Sequence, residues 1–371
     1  MLKVKSSWPF KELGELADVE REIVLPDAIR TDDAYVGLED IESNSGRICT
    51  YKAAKDANLK SSKFRFHRNH ILYGKLRPYL NKVALPKQDG ICSTDILPIK
   101  PKDNVADRLF LAYLMRSHYF SKTATERSSG ANLPRISPSE IQKIKIPSPP
   151  LAIQIEFSKM MSQAESALEK RREAIRLLDD FLKSTFLSMF GDPILNTKGL
   201  RTEKASDLFV LSSGKFNPTK NLDDGYPYPT YGGNGITGFS KEYLIDFQTV
   251  VIGRVGAYCG CVHLTRGQSW ITDNAIYIRE YNKEKLNVIF LYWLFQFLNL
   301  RRFAGYSGQP KITQEPIQRL KLPLPALTEQ QCFVRIVQDA EQLQKKMKSS
   351  ETELQNLFNC LMQKAFKGEL F

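Results

Sequence analysis

The chain has 371 residues, enough for two or three domains with separate cores, and 42% hydrophobic and 25% charged residues is the balance of a water-soluble globular protein. The most apolar stretch, Val288 to Leu300, holds Gln296 and Asn299, and Met1-Leu2-Lys3-Val4-Lys5 lacks a signal core, so the expectation is a cytoplasmic protein with no membrane partner. A net charge of +12 points to a polyanion, with nucleic acid ahead of a lipid surface.

In chain order, Trp8-Pro9-Phe10-Lys11-Glu12-Leu13-Gly14-Glu15-Leu16 leads into a first globular domain, residues 1–150. Strand-like runs lie around Tyr35–Leu38, Lys63–Phe66, His70–Tyr73, Lys82–Leu85 and Ile91–Ile99, separated by Gly and Asn/Asp turns. Asp107 to Phe120 has helical spacing, and the polar segment Thr125 to Arg135 reads as a loop. A second domain, 191–326, follows the same order more loosely. Val250-Val251-Ile252-Gly253-Arg254 matches Ile71-Leu72-Tyr73-Gly74-Lys75, and Ile271-Thr272-Asp273-Asn274 matches Cys92-Ser93-Thr94-Asp95-Ile96. Ile289–Phe303 is its expected helix and Tyr306–Lys311 its expected polar loop.

Between and after these domains stand two versions of one segment. Residues 136–190 reappear without a gap, 176 positions on, as 312–366. Ile141-Gln142-Lys143-Ile144-Lys145-Ile146-Pro147 answers Ile317-Gln318-Arg319-Leu320-Lys321-Leu322-Pro323, and Gln154, Phe157 and Phe190 answer Gln330, Phe333 and Phe366. Each copy alternates apolar and basic residues, is stopped by prolines, then continues without Pro or Gly for about forty residues.

The first long segment, 151–190, steps by four and three through Phe157, Met161, Ala164, Leu168, Arg171, Ile175, Leu178, Leu182, Thr185 and Met189. The second, 327–371, does so through Ile336, Ala340, Leu343, Met347, Ser350, Leu354, Leu357 and Leu361. That spacing predicts two helices of about 60 Å packed antiparallel as a coiled coil, against the simpler alternative of two independent surface helices. The fold class expected is α+β, two pseudo-repeated globular domains separated by a central and a C-terminal spacer helix. Met160, Phe181, Phe186, Phe358, Met362 and Phe366 fall outside the seam and are expected to face partner proteins.

Motifs for catalysis are weak. Gly233-Asn-Gly235-Ile-Thr-Gly238 satisfies GxGxxG but lacks the strand before it and the helix after it. Ser148-Pro149-Pro150-Leu151 imitates a methyltransferase tetrapeptide without the aromatic residue that stacks a flipped base. The four histidines are scattered, and no Walker loop or nuclease carboxylate set stands out. Cys259-Gly-Cys261-Val-His263 suggests the start of a zinc site, yet no fourth ligand is near, and small residues on a packed strand account for it equally well. The expectation is no metal, no catalysis by this chain, and reduced thiols for its six cysteines.

Recognition chemistry remains, with Arg and Lys for phosphates and guanine and Asn and Gln for adenine. The candidates are Lys75, Arg77, Tyr79 and Lys82 after the Gly74 turn and Arg127, Ser129, Asn132 and Arg135 in the polar loop. In the second domain they are Tyr231, Asn234, Arg254, Tyr258, Tyr306, Ser307, Gln309 and Lys311. The frame repeats while these residues differ, Arg77 set against Gly256 and Asn132 against Gln309. Two domains that read DNA would therefore read different sequences.

With both repeats in view, including Leu-Lys-Leu-Pro-Leu-Pro-Ala-Leu-Thr-Glu-Gln-Gln and the closing Gln363-Lys364-Ala365-Phe366-Lys367-Gly368-Glu369-Leu370, the chain resembles over its whole length the specificity (S) subunit of type I restriction–modification systems. The first copy departs at Ala152-Ile153, where Thr328-Glu329 stand in the second. The resemblance implies a non-catalytic subunit whose two target-recognition domains each bind half of a bipartite double-stranded DNA site, with the helices fixing the gap. It implies two methyltransferase subunits that use S-adenosylmethionine, and restriction subunits that use ATP and Mg, in a phage-defence assembly; none of these cofactors is expected on this chain. The alternatives are a specificity subunit for a stand-alone or other-type methyltransferase, and a scaffold that touches DNA without sequence preference.

Overall fold

The structure, a computed structural model, describes residues 8–305, 308–367 and 369. The chain divides into two compact units: one runs to Arg171 and resumes at Ser350, and the other is Arg172–Ser349.

In the first unit, Phe10–Glu12 pairs antiparallel with Lys145–Pro147, so the opening segment closes against the alternating run before the central helix. Ala17–Val19, Ile96–Pro101, Ile71–Gly74 and Val83–Ala84 lie side by side, in that order, in an antiparallel sheet. Beside it, Ile23–Val24, Lys63–Phe66, Gly90–Cys92, Ala34–Val36 and Lys52–Ala53 form a second sheet with a parallel pair, Tyr35 with Ile91 and Val36 with Cys92. The expected strand Ile91–Ile99 is broken in two because Ser93 makes a turn, its carbonyl accepting from Ile96 N and its hydroxyl from Asp95 N. The expected helix Asp107–Phe120 is also two, Arg108–Arg116 capped by Asp107 and His118–Glu126 capped by Ser117. Each capping side chain accepts an orphan N–H of the turn it opens.

The second unit repeats this plan. Thr202–Lys204 pairs with Lys321–Pro323, and Phe209–Ser213, Ala275–Tyr281, Val250–Gly253 and Val262–Leu264 form the antiparallel sheet in the same sequence of places. Its second sheet is smaller, Gly235–Ser240, Tyr228–Gly232 and Trp270–Ile271, but keeps a parallel pair, Tyr231 with Ile271. The helix runs Val288–Phe297, shorter than expected, because Asn299 turns left-handed (φ 46°) and a 3-10 turn, Leu300–Phe303, follows. The glycine motif lies in a hairpin: contrary to the sequence reading a strand, Tyr228–Gly232, does precede it, Gly232 pairs with Gly235, and the strand Gly235–Ser240 runs through it in place of a helix.

The long helices are Leu151–Phe190 and Leu327–Lys367. In the first unit Phe157 packs on Phe366, and in the second Asp179 accepts from Gln344 Nε2 while Phe186 and Phe190 meet Phe333. Partner numbers fall as helix numbers rise, so the pair is antiparallel. Gln154 and Gln330 explain one feature of the sequence repeat. Gln154 Oε1 accepts from the backbone N–H of Asp107, the cap of its domain helix, and Nε2 donates to Pro149 O. Gln330 does the same with Asn287 N and Pro325 O, and donates to Lys285 O at 2.8 Å where Gln154 Nε2 reaches Val105 O at 3.5 Å. Both are buried, so each amide satisfies backbone groups that have no water.

Two expectations about these helices need correction. Phe186 does not face outward: it is fully buried, stacked on Phe297 at 4.8 Å and edge-on to Phe333. Met160, Phe358, Met362 and Phe366 likewise pack against the first domain's core, Phe358 meeting Tyr113 and Phe366 meeting Phe110. The apolar residues beyond the mutual seam cover each domain's own helix, and of the six only Phe181 is exposed (51%). Leu343 and Leu357, placed in the seam by a strict heptad count, face solvent. The inward stripe of the C-terminal helix keeps Ala340 of the expected seam but runs otherwise through Phe333, Val334 and Val337, with Phe358 taking the inner place beside Leu357.

Candidate nucleic-acid interface

In both domains the polar loop lies along the segment that leaves the central strand, and the backbone pattern is the same. In the first, Lys75 N donates to Asp95 O (2.9 Å), Ile136 N to Lys75 O (3.1 Å) and Arg77 N to Pro134 O (2.7 Å), while Ser129 and Arg135 exchange both backbone bonds. In the second, Arg254 N donates to Asn274 O (2.9 Å), Ile312 N to Arg254 O (2.9 Å) and Gly256 N to Pro310 O (2.9 Å), while Gly305 and Lys311 exchange theirs. Since Pro134 and Pro310 play one part, Gln309 stands in the place of Leu133 rather than of Asn132, which corrects the sequence pairing.

On that common frame the side chains differ. Arg135 forks onto Asp95, with Nε at 2.9 Å from Oδ1 and Nη2 at 3.1 Å from Oδ2. Lys311 and Asn274 hold the corresponding places, and among the described residues no ion pair engages Lys311 or Arg254. Arg77 and Gly256 both turn left-handed, at φ 52° and 74°. A Cβ on Gly256 would stand 2.8 Å from Gln309 Nε2, so glycine lets the carboxamide lie across the turn.

The remaining candidates separate. Tyr79 is exposed on the 3-10 turn Pro78–Leu80, and Ser129 and Asn132 are exposed in the loop. Arg127 is exposed, at 3.5 Å from Glu140. Lys82 is diverted: its ammonium donates to Leu38 O at 2.7 Å, on the 3-10 turn Leu38–Asp40. Tyr231 is a correction, because its ring is buried with Ile245, Val251 and Ile271, and burial raises its pKa. Its neighbours on the hairpin take its place. Asn234 is exposed at the tip, and the Gly233 carbonyl closes over Gly253, where a Cβ would come within 2.7 Å of it. His263 Nε2 donates to that carbonyl at 3.3 Å. Asn234, Arg254, Tyr258, Gln309 and Lys311 thus share one rim, while Tyr306 and Ser307 lie outside the described residues.

The sequence reading missed Asp95 and Asn274, although both stand in the matched stretches, and Phe216, exposed by 72% beside Lys215, whose backbone N–H donates to Ile271 O. Among the described residues no three His, Cys, Asp or Glu gather as a metal site; Cys259 Sγ donates to Arg254 O and Cys261 is exposed. Among them, too, no helix is long and apolar enough to cross a membrane.

The sequence model of the type I restriction modification DNA specificity domain matches residues 5–176 and again 198–356. The chain belongs to this family. Its α+β fold with two long antiparallel helices is therefore that of two DNA specificity domains in tandem. The EcoDI type I specificity subunit of Escherichia coli is 30% identical over 161 residues, which is 43% of this chain but only 35% of that protein. A relative named as the putative MjaX type I specificity subunit of Methanocaldococcus jannaschii is 20% identical over 97% of this chain and 94% of its own. In fold, the chain is similar to the crystal structure of the type I S subunit from M. genitalium, with a TM-score of 0.66 at 17% identity, covering 99% of this chain and 98% of that one.

Proposed function

We propose that this chain is the sequence-reading subunit of a type I restriction–modification complex, each DNA specificity domain reading one half of a bipartite duplex site. The observation that carries the reading is the shared backbone frame, Lys75–Arg77 against Pro134–Arg135 and Arg254–Gly256 against Pro310–Lys311, dressed with different side chains. One frame fixes where DNA lies, and the changed residues alter which bases are accepted. The first domain offers Lys75, Arg77, Tyr79, Ser129, Asn132 and the Arg135–Asp95 fork. The second offers Asn234, Arg254, Tyr258, Gln309 and Lys311.

Helices of 40 and 41 residues, about 60 Å long, act as the ruler between half-sites. Joining two weak readers through a stiff element raises affinity only at the matching gap. Phe181 and Leu177, both half exposed on the central helix, are the apolar surface for methyltransferase subunits. S-adenosylmethionine, and the ATP and Mg of restriction subunits, belong to those partners, and the reactions with them.

The test is selection of duplexes from a random pool by the chain with its methyltransferase. The expected pool converges on two short motifs at a constant gap, and Gln309→Ala relaxes one of them only. A pool with no enriched sequence, with all duplexes released alike by salt, overturns the reading in favour of a scaffold.

A further inference from the structure

We infer that Arg77 reads a guanine in the half-site of the first domain, an inference that rests on the DNA-reading function proposed above. The backbone is the first observation. Among the described residues, the other non-glycine residues at positive φ are all asparagines: Asn44, Asn58, Asn81, Asn104, Asn196 and Asn299. Asparagine tolerates the left-handed region because its short polar side chain can bond to nearby backbone, which the long side chain of arginine does not offer. Arg77 sits in it at φ 52°, ψ 66°, and the second domain has glycine at the same place. The fold itself is thus served by glycine, and an arginine there is held for its side chain.

That side chain is the second observation. Arg77 Nε is buried and has no hydrogen-bond partner, and among the described residues no carboxylate pairs with its guanidinium. Asp95, the acidic side chain beside this turn, spends both oxygens on Arg135. A planar guanidinium that the protein leaves without a carboxylate, and with its Nε unpaired, suits a planar ligand with paired acceptors. Guanine presents O6 and N7 side by side in the major groove and takes arginine as a bidentate partner. In the second domain the space over this turn is filled by the Gln309 carboxamide, so the two domains put different chemistry at one position.

The test compares Arg77→Gly and Arg77→Asn with the unaltered chain, each assembled with its methyltransferase, by sequencing methylated sites. Both substitutions suit the left-handed turn, so hydrogen exchange of the strand Ile71–Gly74 is expected to stay unchanged. The expected result is that one G·C pair in one half-site becomes degenerate, discrimination falling about ten- to a hundredfold there. The gap and the half-site altered by Gln309→Ala stay as they were. An unchanged motif, or relaxation at a position that is not G·C, overturns the assignment. Uniform weakening on all DNA, with the salt slope reduced by about one, makes Arg77 a phosphate contact and overturns it as well. Loss of the first domain's fold in both variants makes Arg77 a structural residue, and the guanine assignment is then wrong. If the unaltered chain directs no bipartite methylation, it is the proposed function that falls, and the guanine assignment with it.

Discussion

Replacing Gln330 by leucine should loosen the second domain and leave the first untouched. The side chain is fully buried, accepts from Asn287 N at 2.9 Å, and donates to Lys285 O at 2.8 Å and Pro325 O at 3.0 Å. Leucine fills nearly the same volume but leaves one backbone N–H and two carbonyls without a partner. Each orphaned buried group costs about 1–3 kcal/mol, and carbonyls with a second lone pair lie at the low end, so the sum is about 3 kcal/mol. That is roughly a hundredfold in a local opening equilibrium. Native-state hydrogen exchange reads it directly: amides across Val288–Phe297 should exchange about a hundredfold faster, while those of Arg108–Arg116 keep their rates. Gln154→Leu should give the mirror image through Asp107 N. A change below about threefold, or loosening of both domains by either substitution, would refute the idea that each glutamine fastens its helix to its own domain.

Three further outcomes follow from particular contacts. Asp95→Asn copies Asn274 and frees Arg135 from its fork, so DNA binding should tighten at low salt and its log–log salt slope steepen by about one; an unchanged slope would contradict a DNA-facing Arg135. Phe181→Asp should weaken methyltransferase association without lowering the melting temperature, whereas Phe186→Ala should cost about 3–5 kcal/mol of stability; the reverse pattern would contradict the packing of the central helix. His70 is buried, accepts at Nδ1 from His67 N, and donates from Nε2 to Glu20; burial lowers its pKa. The unfolded chain then binds more protons at this site, so its share of stability is present above about pH 6.5 and is lost as pH falls below that value. Urea unfolding at stepped pH should show this slope, and His70→Gln should flatten it.

The parts of this fold that repeat were legible in the sequence, and the parts that are particular to each domain were not. An ungapped copy from Ile136 to Phe190 marks the two long helices, because a helix free of Pro and Gly shows its period directly. The same copy paired Gln154 with Gln330, but nothing in a sequence says that an amide reaches the N-terminus of another helix. Phe186 was misplaced for a related reason. A helix period separates faces but does not say how many of them are covered, and here each long helix buries one face on its partner and another on a domain. Tyr231 read as a contact because it stands in a glycine-rich loop, whereas it lies on the middle strand of its sheet, buried on both faces there, and leaves Asn234 at the tip. Arg77 could be named from charge and position, but its left-handed backbone is visible only in three dimensions, or by noticing that the repeat supplies glycine there.

The most direct measurement is long-read mapping of methylated adenines in DNA from cells that express this chain with its methyltransferase, against cells that lack the chain. The predicted result is a motif of two unlike halves with a constant gap, present only with the chain. Methylation at a continuous motif, at halves with a variable gap, or equally without the chain would contradict two readers held at a fixed distance.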